Sequence, residues 1–132
     1  MAVDPSRLAD VPLFDGLTDE QLAAVAAKLE EREAHPGDHL SSEGGAGYFF
    51  FVIDSGHAEV VKHGETVAQF GAGDFFGEGA IFRTRRRTAT VTATEPTVLF
   101  AMFGADFAKL VADIPELHER IEAALDERLP AE

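Results

Sequence analysis

Between Phe75 and Val91 the chain reads FFGEGAIFRTRRRTATV, and the residue types able to do chemistry are concentrated here. Four of the eleven basic residues fall within the five positions Arg83 to Arg87, in a chain whose twenty-four acidic residues bring its net charge to −13. Gly77 and Gly79 carry no side chain that would keep backbone N–H groups away from an anion, and a nearby arginine can fork onto phosphate. A small anionic ligand is the reading that these residues support.

Phe76-Gly77-Glu78-x-Ala80, followed by Arg87-Thr88-Ala89 nine residues after the glutamate, resembles the phosphate-binding cassette of cyclic nucleotide-binding domains. These are the modules of catabolite-activator proteins, cyclic-AMP-dependent kinases and nucleotide-gated channels. Leu13-Phe14-x-x-Leu17, Pro36-Gly37, Glu43-Gly44, Phe51-x-Ile53-x-x-Gly56-x-x-x-Val60 and Gly73-Asp74 follow the family's order, so the resemblance runs from about residue 8 to residue 128. It implies that the amides of Gly77, Gly79 and Ala80 meet a phosphate, that Arg87 pairs with an exocyclic phosphate oxygen, and that Thr88 adds a hydroxyl donor. It further implies that Glu78 accepts from a ribose 2′-hydroxyl and that Ile81 is the aliphatic residue packed on the hinge, with Phe107, Leu110 and Leu117 on the opposite side. The family closes the base with its last helix. Ile121, Ala124, Leu125, Arg128 and Leu129 are placed to do so here, or to pack on the roll or on a second chain. Gly79 stands where the family usually has a bulky aliphatic residue. Arg83, Arg85 and Arg86 read as a solvated loop.

The elements that must position this cassette are readable in outline. Leu17-Thr18-x-x-Gln21-Leu22 has the form of a capping box with a hydrophobic staple, and Leu22, Val25, Ala26 and Leu29 recur at helical spacing, which predicts a helix over 18–29. A shorter helical piece is expected over 5–10, with Pro5 in its first turn behind Asp4. From Glu31 to Phe103 turn residues break the chain into short runs, 48–53, 58–62, 66–70 and 98–103, the pattern of a small sandwich or jelly roll. Thr88, Thr90, Thr92 and Thr94 alternate with Ala89, Val91 and Ala93, so this strand should present one face inward. The run 48–53 is apolar on both faces and should be covered on both sides. Helices are expected over 106–112 and, after Asp113 as N-cap and Pro115 in the first turn, as far as Leu129, with Glu116 and Arg120 paired one turn apart.

Length and composition suit one domain over residues 1–132: helices over about 5–29, a β-roll over 31–103 with the cassette at 76–89, and C-terminal helices over about 105–129. The fold class is mainly β with flanking helices, the jelly-roll (double-stranded β-helix) form of the cyclic nucleotide-binding fold. No run of eighteen apolar residues and no basic start before an apolar stretch is present, so the expectation is a cytoplasmic protein without a membrane span. Zero cysteines exclude disulfides, thiol catalysis and zinc–thiolate sites. The acidic balance disfavours nucleic acid as a partner.

The resulting expectation is a non-enzymatic receptor for cyclic AMP, with cyclic GMP as the second ligand, and with no cofactor or metal. Its output would pass through an effector protein, a homodimer formed by the terminal helices, or sequestration of the nucleotide. Two alternatives stand beside it. One is an interaction module of the same fold that binds no nucleotide, which Gly79 favours. The other is a metal-dependent cupin enzyme, for which His35, His39, His57, His63 and His118 are too scattered to supply a ligand set.

Overall fold

The computed structural model describes residues 3–41, 49–79, 81–82 and 89–128. Among them, eight strands form two four-stranded antiparallel sheets. In chain order the strands are β1 (Glu30–Ala34), β2 (His39–Ser41), β3 (Phe49–Ser55), β4 (His57–Lys62), β5 (Glu65–Gly71), β6 (Phe75–Phe76), β7 (Thr90–Ala93) and β8 (Thr97–Phe103). One sheet has the order β1-β8-β3-β6 and the other β2-β7-β4-β5. Helices α1 (Asp19–Lys28), α2 (Gly104–Asp113) and α3 (Pro115–Arg128) flank this roll, with 3-10 turns at Pro5–Leu8 and Pro12–Phe14. None of the described helices is long and apolar enough to cross a membrane.

Period-two alternation along β3 divides its side chains between two apolar layers. Phe51 and Ile53 point into the roll, where they meet Val60, Phe70, Phe76, Val91 and Leu99. Phe50 and Val52 point outward and join Phe100 and Met102 under the helices, against Leu8, Val25, Phe107 and Leu117. The expected double coverage of this strand is therefore realised, with the roll on one side and the helices on the other. In β7, Val91 and Ala93 are buried while Thr90 and Thr92 are half-buried, as the alternation predicts.

Local chemistry sets the helix ends. The Thr18 hydroxyl accepts from the Gln21 amide at 3.1 Å and the Gln21 side chain accepts from the Thr18 amide at 2.9 Å, which closes the capping box. The N-terminal turn is shorter than expected, Pro5–Leu8, and is 3-10 in form with Asp4 capping Ser6. Arg7 fastens that turn to the roll: it lies over the Phe100 ring at 4.8 Å and pairs with Glu31 of β1 and, at 2.8 Å, with Asp54 of β3.

Two expectations are corrected, and one strand falls in a stretch of the expected roll where none was read. The Glu30–Ala34 segment is a strand, for which its charged sequence gave no signal; it exists through its five-residue antiparallel register with β8. Asp113 is the last residue of α2, and Ile114 is the residue whose carbonyl accepts the first α3 bonds, from Leu117 and His118. Arg120 does not pair with Glu116: its Nη1 donates to the Leu13 carbonyl at 2.8 Å, tying α3 to the Pro12–Phe14 turn.

Candidate functional site

The cassette enters from a loop held by its own side chain. The Asp74 carboxylate accepts from the Gly71 amide at 2.8 Å, and the Gly73 amide and Asp74 carbonyl exchange bonds with Ile53 at 2.8 Å each. That anchorage sets the register of β6 on β3, Phe51 opposite Phe76 and Val52 opposite Phe75. Phe76 then stacks between Phe51, at 4.9 Å, and Phe70, at 5.6 Å, inside the roll. Phe75 faces the other way, 5.7 Å from Phe50 in the helix-side layer.

Gly77 follows at φ 101°, a conformation that L side chains rarely adopt, and turns the chain inward. Glu78 and Gly79 are helical, and Ile81 and Phe82 continue as a wider π-type turn. Gly77, Glu78 and Gly79 are all buried, and Glu78 has no exposed surface. A carboxylate so placed in an apolar roll requires donors directed at it, and a guanidinium or a sugar hydroxyl is a donor of that kind. Where the described chain resumes, Ala89 is buried in the same inner layer as Phe76, so both ends of the cassette are rooted inside the roll.

Of the residues assigned from sequence, Gly77, Glu78 and Gly79 are brought together on this turn. Ile81 packs against the helix-side layer that contains Phe107 and Leu117, with Leu110 partly buried against the same layer. Ala80, Arg87, Thr88 and Leu129 lie outside the described residues, and Arg128 is described in its backbone only. Ile121 and Leu125 are buried in the helix-side layer, so neither covers the interior of the roll in this conformation. Ala124 lines a cleft of about 470 Å³ with Phe70, Phe75 and Pro12, which places α3 beside β5 and β6.

Sequence reasoning passed over Phe82. Its ring lies 5.9 Å from that of Phe107, which in turn stacks on Phe50 at 3.8 Å and 5°. An aromatic next to the assigned Ile81 was the available signal. Among the described residues, no three His, Cys, Asp or Glu side chains converge as a metal site.

Residues 31–113 match the family model for the cyclic nucleotide-binding domain. The cAMP-dependent protein kinase regulatory subunit of Yarrowia lipolytica is 35% identical over 101 residues, which are 76% of this chain and 27% of that protein. The chain thus spans about a quarter of the length of such curated relatives. Two solved structures share the fold. The regulatory subunit of a cAMP-independent protein kinase A from Trypanosoma brucei superposes with a TM-score of 0.84 at 22% identity, over 92% of this chain and 44% of that one. The regulatory domain of Toxoplasma gondii PKA, crystallised with cAMP, gives 0.83 at 23% identity over 93% and 48%. At those identities the two likenesses speak for the fold alone, while the family match covers most of the chain and includes the turn that buries Glu78. This chain belongs to the cyclic nucleotide-binding domain family.

Proposed function

We propose that this domain takes cyclic AMP in preference to cyclic GMP, and acts by binding rather than by catalysis. The observation that carries the reading is the Gly77 turn, which delivers a fully buried Glu78 into the roll at the position where the family pattern requires a ribose contact. The Yarrowia relative, a cAMP-dependent kinase regulatory subunit, supports the choice of base. In this reading the amides of Gly77, Gly79 and Ala80 receive the phosphate, Arg87 supplies its counter-charge, and Thr88 adds a hydroxyl donor. Residues 1–132 act as one domain in the cytoplasm. The signal leaves through an effector protein or through association of the terminal helices with a second copy.

Ile81 and Phe82 link the cassette to α2, so movement of the cassette on binding changes the packing under α2 and α3. Such a swing needs a ligand with different affinity for the two arrangements. Closure of Ile121, Ala124, Leu125, Arg128 and Leu129 over the base requires Ile121 and Leu125 to leave the helix-side layer, which sets a cost that the nucleotide must offset.

Titration calorimetry with cyclic AMP and cyclic GMP, on the wild type and on Arg87→Ala, tests the proposal. The variant should lose about 2–5 kcal/mol of binding free energy, because a shielded charge pair is cut on one side. Equal heats for both proteins would refute the role of Arg87. No heat from the wild type with either nucleotide would favour the second reading, an interaction module without a nucleotide, the alternative for which Gly79 speaks.

A further inference from the structure

Arg120 ties the middle of α3 to the N-terminal part of the chain. Its Nη1 donates to the Leu13 carbonyl at 2.8 Å, across 107 positions of sequence, and the guanidinium is half-buried there. Its Nη2 lies against the same turn, 3.8 Å from where a Cβ on Gly16 would stand. The acceptor is fixed, because Leu13 and Phe14 are buried in the helix-side layer, and a short helical turn leaves its last carbonyls without partners of its own. The donor immediately precedes the buried Ile121, and the buried Leu125 follows one turn after that. Both ends of the bond line the cleft of about 470 Å³ between α3, the Pro12–Phe14 turn, β5 and β6. That cleft leaves space beside α3 into which the helix can shift once the bond is broken.

We infer that Arg120 is a positioning residue: it holds α3 in the arrangement with Ile121 and Leu125 in the helix-side layer, and thereby lowers the apparent affinity of the nucleotide site. The inference deepens the function proposed above and rests on it, since it concerns the closure of α3 over the base. Apolar contacts are non-directional, so Ile121 and Leu125 can exchange one apolar surface for another. The bond from Arg120 has a length and an angle, and it does not survive displacement of α3 relative to a turn that stays buried. It therefore stabilises one arrangement and not the other, which is the differential interaction that a two-state element needs. A protein whose binding-competent arrangement is only partly populated binds with an affinity reduced by that fraction, and loss of the bond raises the fraction. The sign separates this role from a merely structural one. Removal of a structural contact weakens binding or leaves it unchanged, whereas removal of this restraint tightens it.

The test uses the whole chain as wild type, as Arg120→Met, which keeps the apolar stem and removes the donors, and as Arg120→Lys, which keeps the charge on a compact ammonium. Titration calorimetry should show cyclic AMP binding Arg120→Met about threefold to tenfold more tightly than wild type, the range of one charge-assisted hydrogen bond reduced for partial exposure. Arg120→Lys should fall between the two. In the nucleotide-free proteins, amide hydrogen exchange over α3 should be about threefold or more faster in Arg120→Met, beyond any change in β3, whose amides report global unfolding. Equal or weaker cyclic AMP binding by Arg120→Met, beside a wild type that binds, would overturn the inference. So would α3 exchange that rises no more than that of β3. Should neither protein give heat with cyclic AMP or cyclic GMP, the nucleotide reading fails, and the exchange comparison alone decides whether Arg120 restrains α3.

Discussion

The ring of Phe82, within the cassette, faces that of Phe107 in α2 across 5.9 Å, tilted by 56°. Phe107 lies flat on Phe50 of β3, and Phe50 is 5.7 Å from Phe75 of β6. The helix-side layer is therefore touched just before the cassette, by Phe75, and within it, by Phe82. Close-packed aromatics transmit displacement because the interior has little free volume to absorb it. The turn that carries Glu78 and helix α2 are thus linked by direct packing, through Phe82 and Phe107.

Phe82→Ala is expected to uncouple them. Phe82 is half-buried, so the stability loss in urea denaturation should be about 1–3 kcal/mol, less than for a fully buried ring. Hydrogen exchange in α2 and α3 should respond to cyclic AMP less than in the wild type. An exchange response of wild-type size in the variant contradicts the coupling.

Glu78→Gln probes the proposed ribose contact. The side chain is fully buried, and the substitution keeps its shape while removing the charge that makes it a strong acceptor. Cyclic AMP affinity should fall by about 1.5–3 kcal/mol, the range for hydrogen bonds to charged groups. A 2′-deoxy analogue should bind wild type and variant almost alike. A parallel loss for both ligands is evidence against the contact.

Gly56→Ala tests the turn between β3 and β4. Gly56 has φ 100°, and an added Cβ would lie 2.4 Å from Thr97 Oγ1 and 2.7 Å from the Pro96 carbonyl. Thr97 is buried, and its hydroxyl is engaged by His57 and Glu95, so it has no free direction in which to withdraw. Backbone strain and overlap together should cost about 3 kcal/mol or more in thermal or denaturant unfolding. A loss below about 1 kcal/mol would show that the hairpin rearranges cheaply.

The N-terminal turn should respond to acid. Bonds from the Ser6 amide and hydroxyl, each 2.9 Å, hold the Asp4 carboxyl below its ordinary value of 3.8, and the charge of Arg7 adds to the effect. A group whose folded pKa is depressed contributes stability that is present above the unfolded value and lost as pH falls through the folded one. Fraying of Pro5–Leu8 should therefore begin below pH 3.8 and be absent at neutral pH. An NMR titration of the Asp4 carboxyl carbon reports its midpoint, and a midpoint at or above 3.8 would remove the basis for this expectation.

What was readable from the chain depended on range. The Thr18–Gln21 capping box, the Asp4 cap and the alternation of Ala89, Val91 and Ala93 are relations between near neighbours, and all are present as read. The strand Glu30–Ala34 was invisible because its residues show no apolar alternation; hydrogen bonds to β8, some seventy residues away, make it a strand. The end of α2 was misplaced by one residue because Asp113 looks like a cap, whereas packing of the buried Ile114 decides where the chain breaks.

The amino-acid sequence by itself determined the cassette's residue types and order, the two-faced apolar strand β3 and the helical stripe on α3, because each is a local pattern of size, charge or period. Only the tertiary structure decided where those patterns point. Periodicity marks Ile121 and Leu125 as one face of a helix, but the β-roll beneath them determines that this face is buried on the outside of the sheet. Spacing marks Glu78 as a candidate ligand, but the anchorage of β6 to β3 and the left-handed turn at Gly77 bring it to the interior, where its charge can act in low dielectric.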